Sequence, residues 1–219
     1  MEIIKSISFS QAEILQNIVD LHTGPIQADV TFGAGAFYRG GLSLPKFLFD
    51  LNPKSRPMTA TEVVARQKAG PWGRVMPFDF VIPADVCHLP IKNSCLGNVI
   101  FDPPFMARTG PGATLKARFG ELVGTIKDLW NFYFLAMREI HRVLIPGGWL
   151  IFKCQDGVLS GVNNFTHCEI YNMGKSLGFI PKDLFVLLAK HRMNHPKHTR
   201  QIHARKFHSY FWVMQKRPI

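Results

Sequence analysis

Asp102-Pro103-Pro104-Phe105 is the segment whose residue types and spacing point most clearly to chemistry. Asp and Pro each make up about 5 % of protein residues and aromatics about 8 %, so a chain of this length carries such a string by chance roughly twice in a thousand. Two prolines stiffen the loop and fix where the Asp carboxylate and the following carbonyl point. Phe105 adds a flat apolar face beside those acceptors. A rigid pair of acceptors next to an aromatic plane suits a planar ring that carries an NH2 group. A nucleobase with an exocyclic amine fits that description.

Other residues of the same kind stand at the ends of apolar runs. Residues 28–31 read as a short strand ending in Gly33-Ala34-Gly35, and residues 46–50 as a second strand that ends in Asp50. A third strand around residues 78–82 leads to Asp85, and residues 96–101 form a fourth, ending at Asp102. In an open parallel sheet, ligands lie beyond the carboxyl ends of the strands, so these four ends read as one shared site. Glycine permits close approach of the backbone to a ligand. The third glycine of the dinucleotide fingerprint is missing, which argues against pyrophosphate. An acid ending the second strand suits ribose hydroxyls, although Asp50 taken alone reads equally as a turn residue before Asn52-Pro53.

The elements that must position this site alternate along the chain. Ser10-Gln-Ala-Glu13 reads as a capping box before Ile14, Leu15, Ile18 and Val19 at helical spacing, and Thr59-Ala-Thr-Glu62 as a second box. Leu122, Ile126, Leu129, Tyr133, Met137, Ile140 and Leu144 mark a long helix ended by Pro146-Gly-Gly148, with a strand at residues 149–153. Thr166-His-Cys-Glu169 reads as the cap of a helix ending at Gly178. Residues 183–190 and 207–215 form a final pair of strands. This alternation predicts an α/β fold: a mostly parallel sheet with helices on both faces.

Composition narrows the partners. The chain has 219 residues and a formal charge of +11, a size that suits one domain with a sizeable core. From Leu184 to Ile219 there are eight of the 26 Lys and Arg and none of the 15 Asp and Glu. A local basic field of this kind suits a polyanion, nucleic acid above all, and disfavours a small-molecule substrate. A solvated basic tail is the plain alternative. Cys87, Cys95, Cys154 and Cys168 lack the paired spacing of a zinc site, so no metal is expected and the cysteines read as small core hydrophobes. No apolar run approaches the roughly 18 residues of a membrane helix, and the N-terminus has no signal-peptide pattern. An intracellular, cytoplasmic protein without a membrane partner is expected.

With these residues in place, the sequence resembles a known family. The order Asp29-Val-Thr-Phe-Gly-Ala-Gly35, Asp50, Asp85, Asp102-Pro-Pro-Phe105 is similar to class I S-adenosylmethionine-dependent methyltransferases, in the branch that modifies amino groups of adenine or cytosine in DNA. The likeness runs from about Gln27 to Asp156, and His203-Ala-Arg-Lys-Phe-His-Ser-Tyr210 resembles the end of small DNA methylases that act alone. It implies a Rossmann-like, seven-stranded sheet with a terminal antiparallel hairpin. It also implies S-adenosyl-L-methionine as cofactor, with Asp29, Thr31, Gly33 and Gly35 along its methionine part, Asp50 at its ribose, and Asp85 and Val86 at its adenine. Asp102, Pro103, Pro104 and Phe105 would then be the catalytic residues of an adenine-N6 methyltransferase. Methylation of a base amine in RNA, or of cytosine N4 in DNA, uses the same motif and stays open, whereas intact Asp50 and Asp85 beside Asp102 speak against a nucleic-acid-binding subunit without activity. One domain covering residues 1–219 leaves no separate target-recognition domain. Recognition is expected from Arg108, Lys116 and Arg118 after the catalytic motif, and from Arg192, Lys197, Arg200, Arg205 and Lys206 between the last strands.

Overall fold

The computed structural model describes residues 3–33, 35–53, 81–106, 125–159, 161–190 and 202–218. The second expected capping box, most of the third expected strand, and Leu122 lie outside them. Chain order begins with β1 (Ile7–Ser8), α1 (Gln11–Ile18, continued by a π-helical turn, Val19–Thr23), β2 (Ala28–Asp29), a 3-10 turn (Ala36–Gly40), β3 (Phe47–Asp50), β4 (Val81–Pro83) and β5 (Leu96–Phe101). It continues with α2 (Ile126–Val143), β6 (Leu144–Cys154), β7 (Gly157–Leu159), β8 (Val162–Asn164), α3 (Thr166–Ser176), β9 (Phe179–Leu188) and β10 (His208–Lys216). Among the described residues, no helix is long and apolar enough to cross a membrane.

Eight strands form the main sheet in the order β1-β9-β10-β6-β5-β2-β3-β4. All neighbours are parallel except β10, which runs antiparallel to both β6 and β9. The fold is therefore the expected α/β sheet with a terminal antiparallel pair, but with eight strands rather than seven. The extra strand is β1, which pairs its two residues with Val186 and Leu187 of β9. A two-residue strand flanked by polar residues has no periodicity to read. The β7–β8 hairpin stands apart as a small sheet of its own.

Period-two alternation along the central strands divides the core between two faces. Val99 and Phe101 of β5, with Leu150 and Phe152 of β6, meet Leu129, Tyr133, Met137 and Ile140 of α2. Ile100 and Ile151 point the other way, toward Ile14, Leu15 and Ile18 of α1 and Phe211 and Val213 of β10. The long helix thus covers one face and the first helix the other.

Two helix caps and one element boundary differ in detail from the sequence reading, although Ser10 is the expected N-cap of α1. Ser10 Oγ accepts from Glu13 N at 3.3 Å, but the Glu13 carboxylate accepts from Ser8 Oγ at 2.6 Å rather than closing a box on Ser10. At α3 no side chain of the expected Thr166 cap acts; instead Asp156 Oδ1 accepts from His167 N at 3.2 Å. Pro146-Gly-Gly148 does not separate helix from strand, because β6 begins at Leu144, directly after α2. Gly147 adopts a positive φ of 77°, and Gly148 packs so closely that a Cβ would meet the Ile145 and Gly97 carbonyls at 2.8 and 3.0 Å. Of the cysteines, only Cys154 is buried; Cys95 and Cys168 are exposed, so they are not core residues.

Candidate active site

The carboxyl ends of β2, β3, β4 and β5 share one edge of the sheet, and side chains tie them together. The chain order reverses between β2 and β5, the switch point at which open sheets form a crevice. Asp29, ending β2 and 1 % exposed, accepts from Thr31 N at 2.9 Å and from the Tyr38 hydroxyl at 2.8 Å. Thr31 Oγ1 in turn accepts from Asp102 N at 2.7 Å, so the first strand end holds the backbone of the Asp-Pro-Pro-Phe segment. Asp50, ending β3, accepts from Gly33 N at 2.8 Å and from Asn52 N at 2.9 Å. Its backbone carbonyl receives Ala84 N at 3.0 Å, which binds the end of β4 to the end of β3.

Gly33 and Gly35 have φ of 57° and 64°, the left-handed region in which a side chain is strained, so glycine is required for this turn. Beyond β4, Asp85 is exposed and accepts from Cys87 N at 2.9 Å, while Val86 is buried against the core. The expected strand-end residues are thus brought together. Asp29 differs from Asp50 and Asp85 in being fully buried, with a buried tyrosine hydroxyl on one of its oxygens.

After β5, Pro103 is buried and Asp102, Pro104 and Phe105 are half-buried. The Tyr133 hydroxyl of α2 donates to the Pro104 carbonyl and anchors the turn from below. Burial pushes the Asp29 carboxyl up to about 7, against the Thr31 N–H and the Tyr38 hydroxyl and with help from Asp102 and Asp50. Burial also raises Asp102, opposed by the ammonium of Lys153. Lys153, Tyr38 and Gln11 belong to this site and were not expected from the sequence. The one signal for Lys153 is a lysine inside an otherwise apolar run, residues 149–154.

Of the expected nucleic-acid contacts, Arg108, Lys116, Arg118, Arg192, Lys197 and Arg200 lie outside the described residues. Arg205 is exposed, and the Lys206 ammonium lies 5.9 Å from the centre of the Phe165 ring. Both precede β10, whose Tyr210 pairs with Cys154 at the end of β6. This side of the sheet is also the side that carries Asp102.

The sequence matches no known protein-family profile, and no curated protein matches it. Solved structures of similar fold include TrmN from Thermus thermophilus, at 17 % identity and a TM-score of 0.50, over 94 % of this chain and 48 % of that one. A SAM-dependent methyltransferase from Methanosarcina mazei matches at 14 % identity and a TM-score of 0.50, over 94 % of this chain and 98 % of its own. The cytosine-N4-specific PvuII DNA methyltransferase matches 59 % of this chain and 46 % of its own, at 14 % identity and a TM-score of 0.43. The chain spans about half the length of TrmN and of the PvuII enzyme. Together with the sheet order, the likeness establishes a Rossmann-like class I methyltransferase fold. One fold serves many activities, so the site rather than the fold determines the chemistry.

Proposed function

We propose that this chain transfers a methyl group from S-adenosyl-L-methionine to the exocyclic amine of a nucleobase in DNA, with adenine N6 as the acceptor. The observation that carries this reading is the bonded chain from strand end to strand end: Asp29 to Thr31, Thr31 to Asp102, and Gly33 to Asp50. It sets a glycine turn and a ribose-type acid beside a rigid amine acceptor.

The residues present fit the cofactor. Asp50 accepts two protein N–H bonds, and a carboxylate has roughly four lone-pair sites, which leaves capacity for a vicinal diol. Asp85 and Val86 would serve the adenine, one polar and one apolar. Gly33 and Gly35 would let the methionine part approach the backbone, while Asp29 acts through Thr31 and Tyr38. When bound, the cofactor supplies a methyl group on a positively charged sulfur.

The chain's own residues handle the acceptor. An aromatic amine is a weak nucleophile because its lone pair is delocalised into the ring. The Asp102 carboxylate and the Pro103 carbonyl would accept its N–H bonds and draw the nitrogen toward tetrahedral geometry, with the departing proton passing to Asp102 or water. Preorganised acceptors of this kind contribute about 10²–10⁴ in rate. In duplex DNA the base must first leave the stack, at a cost of a few kcal/mol. Stacking on Phe105 offsets about 1–3 kcal/mol of that. The acid-free basic stretch before β10 would hold the phosphates, with the whole chain acting as one domain.

The test is incubation with methyl-labelled cofactor and either DNA or RNA, followed by digestion to nucleosides. Label in N6-methyladenine from DNA is the expected result. Label confined to RNA, or to cytosine, overturns the assigned substrate, and label in neither nucleic acid overturns the reading as a whole.

A further inference from the structure

Asp102 meets a partner that the amine chemistry does not require. Lys153, on β6, places its ammonium 3.5 Å from Asp102 Oδ2 with its side chain only 12 % exposed. The same ammonium donates to Gln11 Oε1 of α1 at 2.8 Å. Three phenyl rings close around it: Phe37 at 5.0 Å, Phe105 at 5.5 Å and Phe211 at 5.6 Å from the ring centres. Aromatic faces favour a cation at these distances, so the ammonium is held in place by four elements. Strand register puts it there, because Lys153 pairs with Phe211 on one side and follows Phe152, the partner of Phe101, on the other.

We infer that Lys153 is the positioning residue of the amine acceptor: clamped by Gln11 and boxed by Phe37, Phe105 and Phe211, its ammonium aims the Asp102 carboxylate and keeps it charged. The inference rests on the role given above to Asp102. The groups around Asp102 explain the need. The Asp29 and Asp50 carboxylates, the Tyr38 and Tyr133 hydroxyls and the Cys154 thiol all stand near enough to interact with it or with one another, and none is cationic. Among the described residues, Lys153 is the cation that opposes the effect of burial on Asp102. Without it, burial acts on the acid unopposed and favours its neutral form, in which one acceptor oxygen becomes a donor. The pairing also links α1, far upstream of the motif, to the reacting position.

The experiment has two readouts. Carbon-13 NMR of aspartate carboxyls, with Asp102 assigned through Asp102→Asn, gives its titration midpoint in wild type, in Lys153→Met and in Gln11→Ala. Methionine keeps the bulk and the apolar stem while removing the charge. The midpoint should rise by about 1–3 pH units in Lys153→Met, the range for a lost opposite charge, and by a smaller step in Gln11→Ala. In the methyl-transfer assay, Lys153→Met should lose at least about tenfold in kcat at neutral pH with cofactor affinity retained, and its acid limb should move to higher pH. If Lys153→Met does not fold, Gln11→Ala carries the test alone. An unchanged Asp102 midpoint in a folded variant overturns the inference. A wild type that shows the expected midpoints but no transfer to nucleic acid overturns the proposed function and leaves the Asp102–Lys153 pairing standing.

Discussion

Asp29 and Asp102 are both pushed upward by burial, but their neighbours differ. Asp102 has an ammonium beside it, whereas Asp29 has an N–H and a hydroxyl. Asp29 therefore holds its proton in the folded chain up to about pH 7, while an unfolded aspartate releases it near 4. The folded state binds more protons between these values, so the contribution of this group is full below about pH 4 and is lost as pH rises through 7. Asparagine at 29 removes that dependence. Urea unfolding from about pH 5 to about pH 8 should show wild type losing stability relative to Asp29→Asn as pH rises; parallel curves would refute the assignment. Asp50 and Asp85 are tested on the cofactor instead. Asp50→Ala and Asp85→Ala should each weaken S-adenosylmethionine binding by about 1–3 kcal/mol in calorimetric titration, through lost hydrogen bonds. Unchanged affinity in both variants would remove the pocket from these residues.

At the scale of elements, α1 lies so close to the 3-10 turn that a Cβ at Gly40 would sit 2.3 Å from the Ala12 Cβ. Gly40→Ala must displace one of them, and α1 carries Gln11 into the site. A loss of about 1–3 kcal/mol is expected, with Ala12→Gly in the same chain restoring it; denaturant midpoints of the single and double variants decide. β5 was readable to its last residue because both faces are buried and its apolar run stops at Asp102. The order of acids and glycines at successive strand ends was readable because a parallel sheet gathers such ends at one edge. The start of β6 was not readable, since Pro-Gly-Gly normally ends an element; the pairing of Leu144 with Leu96 and of Trp149 with Asn98, across a register shift, shows that the strand continues. Lys153 was not readable as a site residue either. Its role depends on Gln11, Phe37, Phe105 and Phe211, which come from four separate parts of the sequence.

For the whole molecule, the proposed function requires a surface that holds a polyanion beside the site that receives one of its bases. The basic residues cluster between β9 and β10, and both strands meet that stretch on the side of the sheet where β5 ends in Asp102. Replacing Lys197, Arg200, Arg205 and Lys206 together should flatten the salt dependence of duplex binding. Each lost phosphate contact should change the log–log slope by about 0.9. An unchanged slope would make the stretch a solvated tail. The proposed role of Asp102, accepting the amine of a base in DNA, is read out by single-turnover transfer of labelled methyl to adenine-containing oligonucleotides. Wild type should label adenine N6. Asp102→Ala should be slower by at least about two orders of magnitude while still binding cofactor, and Asp102→Asn should keep measurable transfer because its carbonyl oxygen still accepts one N–H. An alanine variant as fast as wild type would contradict the account.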